Sequence, residues 1–144
     1  MSFPFLGNSL SNFRDFCFQL LVFLVYYIQF VPENIYNLFA WYRESELHPL
    51  VKSAIFHYEF EFIHPFADGN GRMGRMWHKL LLGKWKKMFF WLPFEDLIRA
   101  RQTEYYDALS SVDNLSDSAE FAELMLEVIR DSLAEAETGS YSAD

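Results

Sequence analysis

Residues 64–75 read His-Pro-Phe-Ala-Asp-Gly-Asn-Gly-Arg-Met-Gly-Arg. Within this segment stand a titratable base (His64), a hard oxygen ligand (Asp68), two glycines around an asparagine (Gly69, Asn70, Gly71) and two arginines one helical turn apart (Arg72, Arg75). Gly69 and Gly71 can take backbone angles closed to other residues. A turn of that kind lets successive N–H groups face one hollow and bind an anion. If a helix begins at the second glycine, its free N–H groups and positive dipole end add to the same hollow. Arg72 and Arg75 would supply forked donors suited to phosphate oxygens, and Asp68 would hold Mg²⁺ against those phosphates. His64 could take a proton from an incoming hydroxyl as general base. Together these are the parts that phosphoryl or nucleotidyl transfer requires: anchored phosphates, neutralised charge and an oriented nucleophile.

Each part alone has a plainer reading. A histidine at a helix end is usually a cap or a surface residue, a Gly-Asn-Gly is usually a turn, and two arginines at helical spacing are usually a solvated face. Their concentration in a single short segment carries the argument. No Gly-Lys-Ser/Thr follows, so the segment is not a Walker-type loop, and the glycines do not follow a strand in Rossmann order. His57, His64 and His78 offer no pair with the i, i+4 spacing of a helical zinc site.

The surrounding elements must deliver these side chains. Pro49 opens a helix that runs to about Ile63, with Val51, Ile55, Tyr58 and Phe62 as its apolar stripe. It must stop near His64, because Pro65 disfavours the α conformation in the residue before it. A second helix, 71–84, buries Met73, Met76, Trp77, Leu80 and Leu81. Another helix is expected from Pro32 to about Tyr42. A further one starts at Pro93 and carries Leu97, Ile98, Arg101, Tyr105 and Ala108. A last one starts near Asp117, where Asp117 and Glu120 have capping-box spacing, and it is lined by Phe121, Leu124, Met125, Val128 and Ile129. From Glu135 the tail is polar and expected to fray. The fold class is all-α, a helical bundle around a helix–loop–helix.

The chain of 144 residues suits one domain, and 16 phenylalanines give it an aromatic-rich core. The formal charge of −8 argues against a nucleic-acid partner, whose binding would need a basic surface. The lone Cys17 excludes an internal disulfide, which fits a reducing compartment, the cytoplasm. Residues 16–31 carry no charge, but the run is shorter than the ~20 residues of a spanning helix, and Gln19 and Gln29 interrupt it. A membrane role is therefore disfavoured, and so is a signal peptide, for want of a basic flank and a small-residue cleavage site. Buried strand or buried helix is the expectation for this run, between which periodicity does not choose.

The twelve-residue segment resembles the defining motif of Fic domains, HPFx(D/E)GNGRxxR, at every fixed position. The likeness extends to His48-Pro49-Leu50, to the approach Phe56–Ile63 and to Tyr105-Tyr106, and spans residues 32–133. On this basis residues 1–31 are an atypical N-terminal segment, 32–134 the Fic core and 135–144 a polar tail. The resemblance implies a Fic fold and transfer of AMP from ATP, with Mg²⁺, to a Ser, Thr or Tyr hydroxyl of a target protein. By matching position, His64 would be the base and Asp68 the metal ligand. Gly69, Asn70, Gly71, Arg72, Gly74 and Arg75 would form the nucleotide site, with Arg75 reaching the γ-phosphate. Phe66 would be a buried anchor of the loop. Tyr105 and Tyr106 would either approach the base or serve only helix packing.

The resemblance also implies a small β-hairpin flap upstream of residue 32, which docks the target by strand addition. Residues 16–31 have no glycine for its turn, and the helix usual before the flap is not evident. The self-inhibitory pattern (S/T)xxxE(G/N) is not matched either: Ser132 is followed by Ala136 at the Glu position, and Ser11 by Asp15-Phe16. Either there is no internal brake, or a separate inhibitory protein supplies it, or it was lost with the N-terminus. The alternatives to adenylylation are a truncated or degenerate domain without turnover, and a Fic-fold transferase using another donor (phosphate, UMP, GMP or phosphocholine).

Overall fold

The computed structural model describes residues 13–110 and 118–138. They form α1 (Phe13–Glu44), α2 (Pro49–Ile63), α3 (Asn70–Trp85), a 3-10 turn (Lys87–Trp91), α4 (Phe94–Ala100), α5 (Gln102–Ser110) and α6 (Ala119–Thr138), with no strand among the described residues. The all-α expectation holds.

The bundle is built around α2. Pro49 supplies a pre-set φ at its first position, and the His48 ring accepts the Leu50 N–H at 3.3 Å. At the other end Pro65 forbids another α residue, and His64 turns left-handed at φ 51°, ψ 57° while its N–H still reaches Phe60 O at 3.1 Å. On one side Phe56, Phe60 and Ile63 pack with Leu38 of α1 and Leu81 of α3. On the other, Ala54 and Tyr58 join Leu82, Phe94, Tyr105, Phe121, Met125 and Ile129. The stripe expected from periodicity is therefore the wrong one. Of Val51, Ile55, Tyr58 and Phe62 only Tyr58 is buried, and Phe62 is exposed. A helix covered on two sides is apolar nearly all round, and a one-sided pattern then has nothing to select.

Two glycines of α3 allow close approaches, Gly74 to α2 and Gly83 to the 3-10 turn. The buried face of α3 holds Asn70, Gly74, His78, Leu81, Leu82 and Gly83; Met76, expected inside, is exposed, and Met73, Trp77 and Leu80 are half-buried. A Cβ on Gly74 would overlap Glu61 Oε1 and the His57 ring, and one on Gly83 would overlap the Phe90 ring. Size rather than hydrophobicity places these positions inside.

Beyond α3 the helix expected from Pro93 is two helices. It breaks at Arg101 (φ −107°, ψ 31°), whose guanidinium grips Glu127 at 3.0 Å and Asp131 at 2.6 Å on α6. The break lets Ile98 and Tyr105 both enter the cluster lined by α6. Phe121, Met125, Val128 and Ile129 are buried as expected, with Leu124 half-buried, and α6 continues past Glu135 to Thr138. Asp117, the proposed cap, lies outside the described residues.

Helix α1 departs most from expectation. Pro32 does not begin it but lies inside it, where it removes one rung of the hydrogen-bond ladder. The run 16–31 is helix, one of the two forms expected, and not a hairpin flap; among its described side chains Leu21, Val25, Ile28 and Phe30 are exposed and Val31 is half-buried. Without a turn-forming glycine the run satisfies its backbone within itself, and the packing described for α1 lies in its C-terminal half. There Val31, Ile35, Leu38, Phe39, Trp41 and Tyr42 meet α2 and α3. Among the described residues no helix is long and apolar enough to cross a membrane.

Gly74→Ala tests the close α2–α3 approach. Higher helix propensity favours alanine by about 1 kcal/mol, whereas overpacking against the fully buried His57 ring costs about 1–3 kcal/mol. A lower urea midpoint is expected; a rise would contradict the packing described.

Candidate functional site

His64 is the only described non-glycine residue with positive φ. Histidine enters this region more readily than branched residues do, but the conformation still costs about 1 kcal/mol or more. It turns the ring back over the helix end, where Nδ1 lies 3.4 Å from the Glu61 carbonyl. A carbonyl only accepts, so Nδ1 carries the proton in this contact. Nε2 is left with the lone pair a base needs. The side chain is exposed.

The loop that follows is closed by Asn70. Its Oδ1 accepts the Phe66 N–H at 2.9 Å and its Nδ2 donates to Phe66 O at 2.6 Å. The asparagine side chain thus clamps the backbone and does not face the hollow. Phe66, expected to anchor the loop by burial, is 45% exposed, with its ring 6.3 Å from that of Phe60. Its main chain does the anchoring.

Gly69 precedes α3 at φ 86° and gives the helix no side-chain cap. The first rung of α3 runs from Met73 N–H to Gly69 O at 3.0 Å. The N–H groups of Asn70, Gly71 and Arg72 therefore precede the ladder at the positive end of a 16-residue helix. The two arginines arch back over the glycines. A Cβ on Gly69 would lie 3.1 Å from Arg72 Nη2, and one on Gly71 would lie 3.2 Å from Arg75 Nη1. Arg72 and Asp68 form an exposed pair at 3.6 Å. Such pairs are worth about 0–1 kcal/mol, so an incoming phosphate can part them at little cost. Gly74, grouped with the nucleotide residues on sequence, instead faces His57 and Glu61 in the helix contact.

His64, Asp68 and the glycine turn border one cleft of about 230 Å³, lined by Glu61, His64, Ala67, Asp68, Gly69, Asn70, Gly71 and, from α5, Tyr105, Tyr106 and Leu109; Arg72 and Arg75 are not among its lining residues. A larger one, about 600 Å³ between α1 and α2, is lined mainly by apolar side chains such as Leu38, Trp41, Ile55 and Phe62 and offers no cation for a phosphate. Among the described residues no three His, Cys, Asp or Glu side chains cluster to hold a metal. A cation held by Asp68 would need a ligand's oxygens to complete its shell, which suits Mg²⁺ carried on phosphates.

Beneath the cleft is a dry polar layer that the sequence reading missed. His57 and His78 are buried; Tyr105 Oη lies 3.1 Å from His57 Nε2, and His78 Nδ1 lies 3.1 Å from Ser53 O. Glu61 Oε1 is 3.7 Å from His57 Nε2. Proximity does not make this a charged pair, because burial outweighs the glutamate and keeps the His57 pKa below its ordinary value. Burial, helped by His57, pushes His78 down to about 3. The Tyr105 phenol is pushed up by burial and by the Glu61 charge, and drawn back by Arg75. A glutamate in the otherwise apolar run Phe60–Ile63, one turn from both His57 and His64, was the available signal.

Both buried histidines stay neutral in the folded chain while the unfolded chain protonates them near pH 6.5. Above that pH they contribute no pH dependence. Below it the unfolded state binds more protons, and stability falls with pH by roughly 1 kcal/mol per unit for each histidine. For His78 the decline extends to about pH 3. Urea midpoints measured from pH 7 to 4 should fall, less steeply in His78→Gln; a flat profile in the unaltered chain would contradict buried neutral histidines.

The sequence model of the Fic/DOC family matches residues 4–82. A probable protein adenylyltransferase of Aquifex aeolicus is 51% identical over 47 residues, 32% of this chain and 15% of that protein. Protein adenylyltransferase fic-1 of Caenorhabditis elegans is 31% identical over 96 residues, 65% of this chain and 18% of its own length. The chain thus spans less than a fifth of these relatives. A solved structure of a Fic family protein from Desulfovibrio desulfuricans G20 superposes with a TM-score of 0.75 at 47% identity, covering 81% of this chain and 36% of that one.

Proposed function

The chain belongs to the Fic/DOC family, and from that premise we propose that it is a protein adenylyltransferase moving AMP from ATP to a hydroxyl of a Ser, Thr or Tyr side chain. The supporting observation is a single juxtaposition. His64, whose Nδ1 faces the Glu61 carbonyl, and the uncapped N-terminus of α3 border the same cleft.

In this reading the N–H groups of Asn70, Gly71 and Arg72 hold phosphate oxygens, and Arg72 and Arg75 neutralise the charge that spreads over them. The target hydroxyl attacks the α-phosphorus as its proton passes to His64 Nε2. The bond to the bridging oxygen breaks, and pyrophosphate leaves with the electron pair. Asp68 would carry Mg²⁺, which when bound draws charge from the phosphates. Asn70 serves through its backbone N–H, while its side chain keeps the turn in shape.

The helix found where a flap was expected favours a second reading, in which the cleft binds nucleotide without presenting a strand edge to a target. One experiment separates the two. ATP labelled on the α-phosphate, incubated with the purified chain, Mg²⁺ and a cell lysate, should label protein. His64→Ala should reduce that label by about 10²-fold or more. Nucleotide binding without label supports the second reading, and equal label from His64→Ala removes the base assigned here.

A further inference from the structure

Glu61 has two unlike surroundings. Its carbonyl meets the His64 ring, while its carboxylate turns into the contact between α2 and α3. Oε1 is sealed from solvent and has no hydrogen-bond partner. A carboxylate oxygen so placed needs a compensating charge nearby. The His57 ring beside it is neutral, for the burial reason given above. The cation near this layer is Arg75, whose charge is felt at both His57 and Tyr105 and whose side chain hydrogen-bonds the Tyr105 hydroxyl.

Gly71 lies between the two. A methyl at that position would stand 3.2 Å from Arg75 Nη1 and 3.9 Å from Glu61 Oε1. The missing side chain leaves both groups near the same point, although they do not form a direct ion pair. Tyr105, with its hydroxyl on His57 Nε2, backs the same space.

We infer that the Glu61 carboxylate is a positioning residue for Arg75, holding its guanidinium over Gly71 at the mouth of the cleft. What Arg75 then binds rests on the phosphate-binding reading above; what holds it does not. Arginine loses much side-chain freedom when fixed, and a guanidinium already placed by Glu61 would meet a phosphate without paying that ordering again. Arg72, paired only with exposed Asp68, has no such support.

The test has two readouts. In the free protein, the Arg75 Nε–H resonance, assigned by its loss in Arg75→Lys, should stand apart from the exposed-arginine signals. In Glu61→Gln it should collapse onto them. Gly71→Ala, which puts a methyl between the groups and leaves both charges, should do the same if Glu61→Gln does not fold. In ATP titrations Glu61→Gln should weaken affinity about tenfold, leave AMP affinity unchanged, and add no loss to Arg75→Ala. An unmoved Arg75 resonance in Glu61→Gln overturns the inference, as does an equal ATP loss in the Arg75→Ala background. A collapsed resonance in a protein that never binds ATP leaves Glu61 in its role and removes the phosphate reading instead.

Discussion

Helix α3 lies against α2 at a distance that only a residue without a side chain permits. At Gly74 the volume of a methyl is already taken by the Glu61 carboxylate and the buried His57 ring. That approach fixes His64 at the end of one helix relative to Asn70 at the start of the next. The loop between them then has little freedom, and the Asn70 side chain removes most of what remains by bonding both polar groups of Phe66. The His64 imidazole and an uncapped helix end are held across one cleft by packing and two hydrogen bonds.

The site is therefore layered. Below is a dry layer of His57, His78, Glu61 and Tyr105, in which burial keeps the histidines neutral and the phenol protonated. Above is an open layer of His64, Asp68 and Arg72, exposed and weakly paired. The lower layer sets positions; the upper can rearrange around a ligand. Arg75 spans the two, which is why its surroundings matter more than those of Arg72.

Legibility in the sequence followed the kind of constraint. Proline and glycine signals act on the local backbone, so the limits of α2, the stop at His64 and the turn at Gly69 were readable from Pro49, Pro65 and the glycines. The motif residues were readable because their types are rare in combination. What depends on a distant neighbour was not. The faces of α2 were misassigned because two partners cover it. The break at Arg101 follows from acidic residues on α6, and the dry layer needs Tyr105 brought to His57 across a sequence separation that no local pattern reports. Leu21, Val25 and Ile28 of α1 are exposed although burial was expected of the run, because hydrophobicity alone does not report how a residue is placed.

The chemistry assigned to the cleft depends on the α3 N-terminus holding phosphate, and this can be observed directly at the backbone. Amide ¹H–¹⁵N spectra recorded while ATP and Mg²⁺ are added should show the largest, saturable shifts at Gly69, Asn70, Gly71 and Arg72, with smaller ones at His64 and Tyr106. Saturable shifts confined to other residues, or none at millimolar ATP, would contradict the account.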